Sequence, residues 1–420
     1  MPVHPPAPAA RAAVDFDHDS PAHAENWIEI FAALRENNPR PWTERHGGYW
    51  VATRHRDLVA ISQSPEHFTT HKDFDPATGI ATGGNTIPPF PTPRGIPNES
   101  ESPEWDAVRA FLNPTFSPRA VQQRRDKIRR FAAALIDAVI EKGEFDIVDD
   151  LTNPLPALVT MDIFGFPLDE WRPFADGVHR MIYTSKADPA FADTVAWLGP
   201  FRDRVDEEIA DRRKNPRDDL LSHLANGRMN GSPLTHDQIQ TMAFNILTAG
   251  VDTTTALSSN ALLHLARHPA DRQRLIKVPG LMRYAIEEFV RFFGPVQSLA
   301  RNVRDDHVTN GWDFRKGERV LLSFASANRD PDVFEKPDEL IIDRFPNRHV
   351  GFGIGMHRCL GSFLARDMID AMLTEVLTRM PDYRVREDGI RHYPNIAVIN
   401  GWIHLPATFS PGSKVGARIQ

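Results

Sequence analysis

The chain is expected to fold as a mainly α-helical protein with a small β-rich region, and three patterns predict this. Apolar residues recur at three- and four-residue steps in Ile128, Phe131, Leu135 and Val139, and again in Ile369, Leu373, Val376 and Met380, the spacing of a helix with one buried face. Thr235 followed by Gln238 is a capping-box start, and apolar residues continue from it to about Ala266 before His268-Pro269. That stretch predicts a helix of roughly 30 residues, about 45 Å long, enough to cross a whole domain. Strand signals are short and confined to two hairpin patterns and one further apolar run.

Taken in order, residues 1–18 open with the proline- and alanine-rich stretch Met1 to Ala13 and read as a disordered tail. Trp42-Thr43-Glu44 and Tyr49-Trp50-Val51-Ala52-Thr53 flank His46-Gly47-Gly48, the first hairpin pattern. Between about His71 and Ser102 proline and glycine are dense, as in Thr86-Ile87-Pro88-Pro89-Phe90-Pro91-Thr92-Pro93, and no period is present. An aperiodic stretch of this length in a compact domain is either functional or a mobile surface excursion, and the residues alone leave both readings open. The helix carrying Ile128 to Val139 closes at Lys142-Gly143, and the long helix occupies Thr235 to Ala266. Asn310-Gly311, between Val303 and Phe314, marks the second hairpin, with Val320-Leu321-Leu322 as a further strand. The last helix follows the cysteine loop and stops at Pro381, and residues 412–420 read as a C-terminal tail. No internal repeat is present.

Composition excludes several classes. There are 49 Lys and Arg against 56 Asp and Glu, a net charge of -7, which lacks the basic footprint of a nucleic-acid-binding domain. A single cysteine rules out an internal disulfide. There is no secretory signature and no run of about 18 apolar residues, so a cytoplasmic protein without a membrane anchor is expected.

The only cysteine lies in Phe352-Gly353-Ile354-Gly355-Met356-His357-Arg358-Cys359-Leu360-Gly361, a glycine-hinged loop leading into a helix. A thiol there sees the positive end of the helix dipole and nearby amides, which favour the thiolate, the form that binds metals. Gly353, Gly355 and Gly361 let backbone and sulfur approach a flat ligand closely. Taken alone, a lone cysteine is more often a small buried hydrophobe than a ligand.

The spacing of Phe352, Gly355, Cys359 and Gly361 resembles the cysteine-ligand loop of the cytochrome P450 family, the heme-thiolate monooxygenases. Three further motifs of that family occur in order: Ala249-Gly250-Val251-Asp252-Thr253-Thr254, the Glu-x-x-Arg pair Glu288 and Arg291, and Ala327-Asn328-Arg329-Asp330-Pro331 with Asp343-Arg344-Phe345. The layout is most similar to the soluble bacterial terpene hydroxylases such as the camphor enzyme. The resemblance implies a triangular helical prism with the long helix over the heme. It also implies one interwoven domain over 19–411, because motifs scattered along the chain must converge on one cofactor.

That cofactor is implied to be heme b, iron protoporphyrin IX, with Cys359 as the axial ligand of its iron. In the family an anionic sulfur pushes electron density into the iron and favours O–O cleavage. Two propionates need donors and cations, and by the resemblance these are Trp105, Arg109, Arg301 and His357. Trp105 and Arg109 stand one helical turn apart; many bacterial relatives carry histidine where Trp105 stands. Phe352, Gly353, Gly361, Ala249 and Gly250 are implied to border the porphyrin. Glu288, Arg291 and Arg344 take a structural role, locking the segment that leads to the cysteine loop.

Oxygen chemistry needs two protons delivered without flooding the site with water. Thr253 fits the donor, its hydroxyl reaching the Ala249 carbonyl and locally opening the helix, with Asp252 as the relay; read without the motif set, both are polar residues on a solvated helix face. Ala249, Val296 and Ile396 match pocket-lining positions, and the 71–102 stretch matches the loop that covers the pocket. The substrate is expected to be an apolar small molecule, hydroxylated with one atom of O2. No flavin or iron–sulfur motif is present, so electrons must come from a separate ferredoxin or flavodoxin-type donor with its NAD(P)H reductase. Arg124, Arg125, Lys127, Arg129 and Arg130, with Arg358, form either a docking patch or a solvated helix face. A monomer is expected. Oxidative coupling or other tailoring of a natural product, and a non-catalytic heme carrier or sensor, are the alternatives.

Overall fold

The computed structural model describes residues 11, 13–185 and 188–419. Thirteen helices appear among them. Pro21–Asn37 (α1), His55–Ser62 (α2), Glu104–Phe116 (α3), Pro118–Val139 (α4), Pro154–Phe164 (α5), Trp171–Tyr183 (α6) and Phe191–Lys214 (α7) make up the first half. Leu220–Asn226 (α8), His236–Arg267 (α9), Pro269–Lys277 (α10), Met282–Phe293 (α11), Phe324–Ala327 (α12) and Ser362–Arg379 (α13) follow. The longest, α9, runs 32 residues from a capping box in which Thr235 and Gln238 satisfy each other's backbone amides. It is helical throughout Ala249–Thr254, so the local opening expected there is no break in the chain.

The largest buried cluster draws on α4, α5, α9, α11 and α13, with α4 packed along α13 and α5 along α9. Gly250 makes the second contact close: a Cβ there would lie 2.9 Å from Thr160 Oγ1 of α5. The space freed by this glycine therefore faces the neighbouring helix.

Both hairpins form. Trp42–Thr43 pairs antiparallel with Tyr49–Ala52, and His307–Thr309 with Trp312–Phe314 across Asn310 and Gly311, both at positive φ. The first belongs to a five-stranded sheet that also contains Arg319–Ser323, Ser298–Val303 and Phe68–Thr69. Val320 lies opposite Arg301 in this sheet, which sets one expected site residue on a rigid strand.

Three expectations change. Residues 1–10 and 12 of the supposed tail lie outside the described residues, but the rest is packed: the Val14 amide donates to the Trp42 carbonyl at 2.8 Å, and Phe16 and His18 are buried. At the other end, Asp137 accepts from the amides of Val415 and Ala417, so 412–419 is tied to α4. The 71–102 stretch begins with a hairpin, Lys72–Asp75 against Ile80–Gly83, its turn closed by Asp75 oxygens on Ala77 and Thr78. Sequence periodicity missed it because both strands are largely solvated and no apolar alternation marks them.

Candidate functional site

The cysteine loop is held by its backbone. Cys359 N–H donates to the Phe352 carbonyl at 2.8 Å and Gly353 N–H to Val350 at 2.8 Å, while Asn328 Oδ1 accepts from Val350 N–H at 2.8 Å. Gly355 sits at φ +72° with the place of a Cβ only 2.4 Å from the Ser62 carbonyl, so only glycine fits. At Gly361, by contrast, a Cβ would meet nothing within 4 Å. Cys359 keeps accessible surface, yet burial is the largest influence on its thiol and pushes its pKa up. The surface it keeps therefore faces an interior opening and not bulk water. The Gly361 amide and Arg109, Arg366 and Arg358 oppose the shift without reversing it. The helix mouth expected to favour the thiolate does not do so unaided; a coordinated cation would.

Around the opening the basic residues converge. Arg301 is buried, and its one side-chain hydrogen bond among the described residues goes to the adjacent Ala300 carbonyl. Burial lowers its pKa to about 10. His357 is pushed down to about 3, by burial first and then by Arg301 and Arg109. Arg109 donates at 3.3 Å to the Arg358 carbonyl, and its Nε is buried without a partner among the described residues. Trp105 lies edge-on to His357 at 6.3 Å and beneath the Arg109 guanidinium at 5.5 Å. Thr70 adds a hydroxyl 3.3 Å from His357 Nε2. Two buried or half-buried arginines beside a histidine kept neutral, with no carboxylate among them in the described residues, are costly unless an anionic group completes the site. A ligand with two carboxylates, a flat body and a metal for the sulfur fits this set.

Glu288, Arg291 and Arg344 form a saturated lattice below the loop. Arg291 donates to both Glu288 oxygens at 2.7 and 2.8 Å and to the carbonyls of Asn328, Pro337 and Glu339, with both side chains 0% exposed. Arg344 Nε reaches both Glu288 oxygens at 3.1 Å. A second lattice escaped the sequence reading: Glu287 accepts from Arg366 and from His349, and Arg366 lies 4.2 Å over the Phe352 ring. Although burial works against it, hydrogen bonds from Arg366 and His349 hold the Glu287 carboxyl down at about 2. Its one sequence signal is Arg366 standing seven residues beyond Cys359, about one turn into the helix that follows.

On the other side, Ala249 is exposed in the middle of α9, which is otherwise largely buried. Thr253 Oγ1 donates to the Ala249 carbonyl at 3.0 Å. Asp252 is buried and turned away from solvent, its Oδ1 accepting from His179 Nδ1 at 2.6 Å and Tyr393 Oη at 2.8 Å. The solvated-face reading of Asp252 is thereby excluded.

A cavity of about 210 Å³ lies beyond, walled by Ile87, Phe90, Met181, Phe244, Asn245 and Val398 among others. The three expected lining residues are not in its walls. Ala249 is one turn along α9 from Asn245, Val296 is half-buried, and Ile396 points into a buried cluster with Ile87 while its neighbours Asn395, Ala397 and Val398 line the space. The loop over this cavity is anchored. Glu99 accepts from Asn85 and Gly95 amides and pairs with buried Lys72 at 2.9 Å, and Arg319 donates to the Gly84 and Thr86 carbonyls. The mobile-excursion reading gives way to a fixed cover.

The basic run on α4 is largely neutralised. Arg125 pairs with Asp367 at 2.6 Å, Arg129 with Asp370 at 3.5 Å, and Lys127 with Asp162. Three of the five basic residues thus take part in inter-helix ion pairs, while no ion pair is seen for Arg124 or Arg130 among the described residues.

A prism of helices, a cysteine loop facing an interior opening and a pair of arginines without an acid beside it define a class of heme-thiolate proteins. The family model for cytochrome P450 matches residues 188–278 and 279–381. Steroid C26-monooxygenase of Mycolicibacterium smegmatis is 31% identical, covering 92% of this chain and 94% of its own, and linalool 8-monooxygenase of Pseudomonas putida is 30% identical, covering 91% and 95%. The solved structure of the bacillaene polyketide synthase cytochrome P450 PksS of Bacillus subtilis aligns with a TM-score of 0.81 at 28% identity, covering 94% of this chain and all of that one. The chain belongs to the cytochrome P450 family. It is a monooxygenase with the family's heme-thiolate cofactor, a small-molecule substrate and a requirement for a redox partner. Among the described residues no helix is long and apolar enough to cross a membrane.

Proposed function

We propose that the enzyme holds heme b through Cys359 and inserts one atom of O2 into a small to medium apolar molecule, terpenoid-like or otherwise alicyclic or aromatic. The convergence of Arg109, Arg301 and His357 without a carboxylate, beside Cys359, is the observation that carries this reading. Those three, with Trp105, would hold the propionates, and Phe352, Gly353 and Gly361 would border the ring. Bound there, the heme supplies activation of dioxygen with two electrons, one oxygen atom going to substrate and the other leaving as water.

The chain's own part is binding, orientation and proton supply. Ile87, Phe90, Met181, Phe244 and Val398 give an apolar body to the cavity, while Asn245 and Asn395 offer one or two polar anchors. Relatives named for a steroid, for linalool and for a polyketide share this fold at about equal identity, so the guest is defined by these walls and not by ancestry. Thr253 is the donor nearest the opening and Asp252 the acid behind it. Electrons come from a ferredoxin or flavodoxin-type protein with its NAD(P)H reductase, and the enzyme acts as a cytoplasmic monomer.

The test is the ferrous carbon monoxide spectrum of the reconstituted protein against Cys359→Ser. A thiolate spectrum in the first and its loss in the second is the expected outcome; identical spectra would remove Cys359 as ligand. Thr253→Ala should keep that spectrum while more of the reductant consumed ends as peroxide.

A further inference from the structure

We propose that His179 and Tyr393 are positioning residues for Asp252, and that through them the two walls of the substrate cavity set the orientation of the acid. This rests on reading Asp252 and Thr253 as the proton supply.

Asp252 is 1% exposed, a carboxylate deep in the protein with no arginine or lysine bonded to it among the described residues. His179 Nδ1 and Tyr393 Oη approach the same oxygen, Oδ1, and lie 2.9 Å from each other. A triangle of three atoms has three edges but only two hydrogens to fill them, one on the imidazole Nδ1 and one on the phenol. Both point at the carboxylate, since it can only accept when ionised. Burial first, and then the Asp252 charge, push the Tyr393 pKa well up, so the phenol keeps its proton and remains a donor. Tyr183 closes the group, its ring 5.3 Å from His179 and 5.4 Å from Tyr393.

The other two polar atoms are left open. Asp252 Oδ2 and His179 Nε2 are buried with no hydrogen-bond partner among the described residues. Leaving such atoms unpaired costs about 1–3 kcal/mol each, so a fold optimised for stability alone would pair them. The arrangement makes sense if Oδ2 must stay free to take and give a proton while Oδ1 is pinned. A carboxylate with one bonded oxygen can turn about its Cβ–Cγ bond; two donors from separate elements stop that rotation.

Those elements are the cavity walls. His179 is on α6, two and three residues before Met181 and Ile182, which line the cavity. Tyr393 begins the segment whose Asn395, Ala397 and Val398 also line the cavity. A guest that shifts either wall moves a donor on Asp252, which couples cavity filling to proton supply.

The experiment uses the heme-loaded enzyme with a ferredoxin and its NADPH-dependent reductase, and linalool as probe. Dioxygen not spent on the guest leaves as peroxide with two electrons and two protons, or as two waters with four of each. Peroxide per NADPH is therefore readable whether or not linalool is oxidised. Tyr393→Phe and His179→Leu should each raise it several-fold and alter the solvent deuterium isotope effect on NADPH consumption, with an unchanged carbon monoxide spectrum. His179→Asn, which keeps an N–H donor close to the Nδ1 position, should restore most of the coupling, a rescue that a packing role does not predict. In an Asp252→Asn background neither substitution should add to the loss.

If Tyr393→Phe and His179→Leu match the parent in both readouts while Asp252→Asn is uncoupled, the positioning role is wrong and the relay stands. If Asp252→Asn itself behaves as the parent, the relay reading falls.

Discussion

The cysteine side of the protein and the cavity side spend their polar groups differently. Below the loop, Glu288 accepts from Arg291, Arg344, Asn347 and the Ile341 amide, and Glu287 from Arg366 and His349. Both oxygens of each of these two acids are bonded, whereas on the cavity side the Asp252 carboxylate is bonded through Oδ1 alone and its Oδ2 is buried with no partner among the described residues. A saturated lattice has one arrangement and fixes a ligand loop; open valences permit a proton or a guest to change state. The difference separates a part that must not move from a part that must respond.

The sharpest way to break the contrast is on the saturated side. Glu288→Ala would leave Arg291 and Arg344 as buried, unpaired cations, and a loss of about 3–5 kcal/mol is expected from such a break. Denaturant unfolding measures it, and a shift below 1 kcal/mol would show that the lattice is less committed than its geometry implies.

Glu287 supplies the next largest effect and a sign. Its folded pKa of about 2 lies below the ordinary 4.5, so its contribution is complete above the unfolded value and is lost as pH falls from about 4.5 through about 2. At about 1.4 kcal/mol per unit this amounts to at most about 3 kcal/mol. Wild type and Glu287→Gln should differ most at neutral pH and converge towards pH 2; a constant difference would remove the ionic part of the argument.

Lys72→Met tests the cover of the cavity. Glu99 keeps two amide donors after the loss of its cation, so a cost of about 1–3 kcal/mol is expected, confined to the loop. Faster proteolysis between 84 and 103 with an unchanged global unfolding midpoint is the signature. The smallest effect is on α4, where Arg125→Gln removes a half-exposed pair with Asp367 worth about 0–1 kcal/mol. If the run were a docking face in spite of its partners, the same change would slow electron transfer at low salt while leaving stability intact.

The legible features share one property, which is that their partners are close along the chain. The Thr235 and Gln238 capping box, the turn at Asn310-Gly311 and the loop around Cys359 each close within a few residues, so local sequence carries their geometry. Motif matching extended that reach to Glu288, Arg291 and Arg344. His179 is the opposite case: a histidine on an amphipathic helix gives no sign that an aspartate 73 residues away will meet it, nor that Tyr393 arrives from 141 residues beyond Asp252. Ile396 shows the same limit in reverse, since its place in the chain is right by the cavity while its side chain turns into the core.

By itself, then, the amino-acid order determined the helical class, the long central helix, the cysteine loop and the family to which they belong, because periodicity, capping and turn chemistry act over one or two turns of chain. Packing alone decided which face of Asp252 is sealed, that the arginines near Cys359 meet no acid among the described residues, that the loop over the cavity is stapled by Lys72 and Glu99, and that Arg125 and Arg129 of α4 are already paired. Those outcomes depend on where separate helices and strands come to rest against one another, and burial and electrostatics act across that distance in space irrespective of distance in sequence.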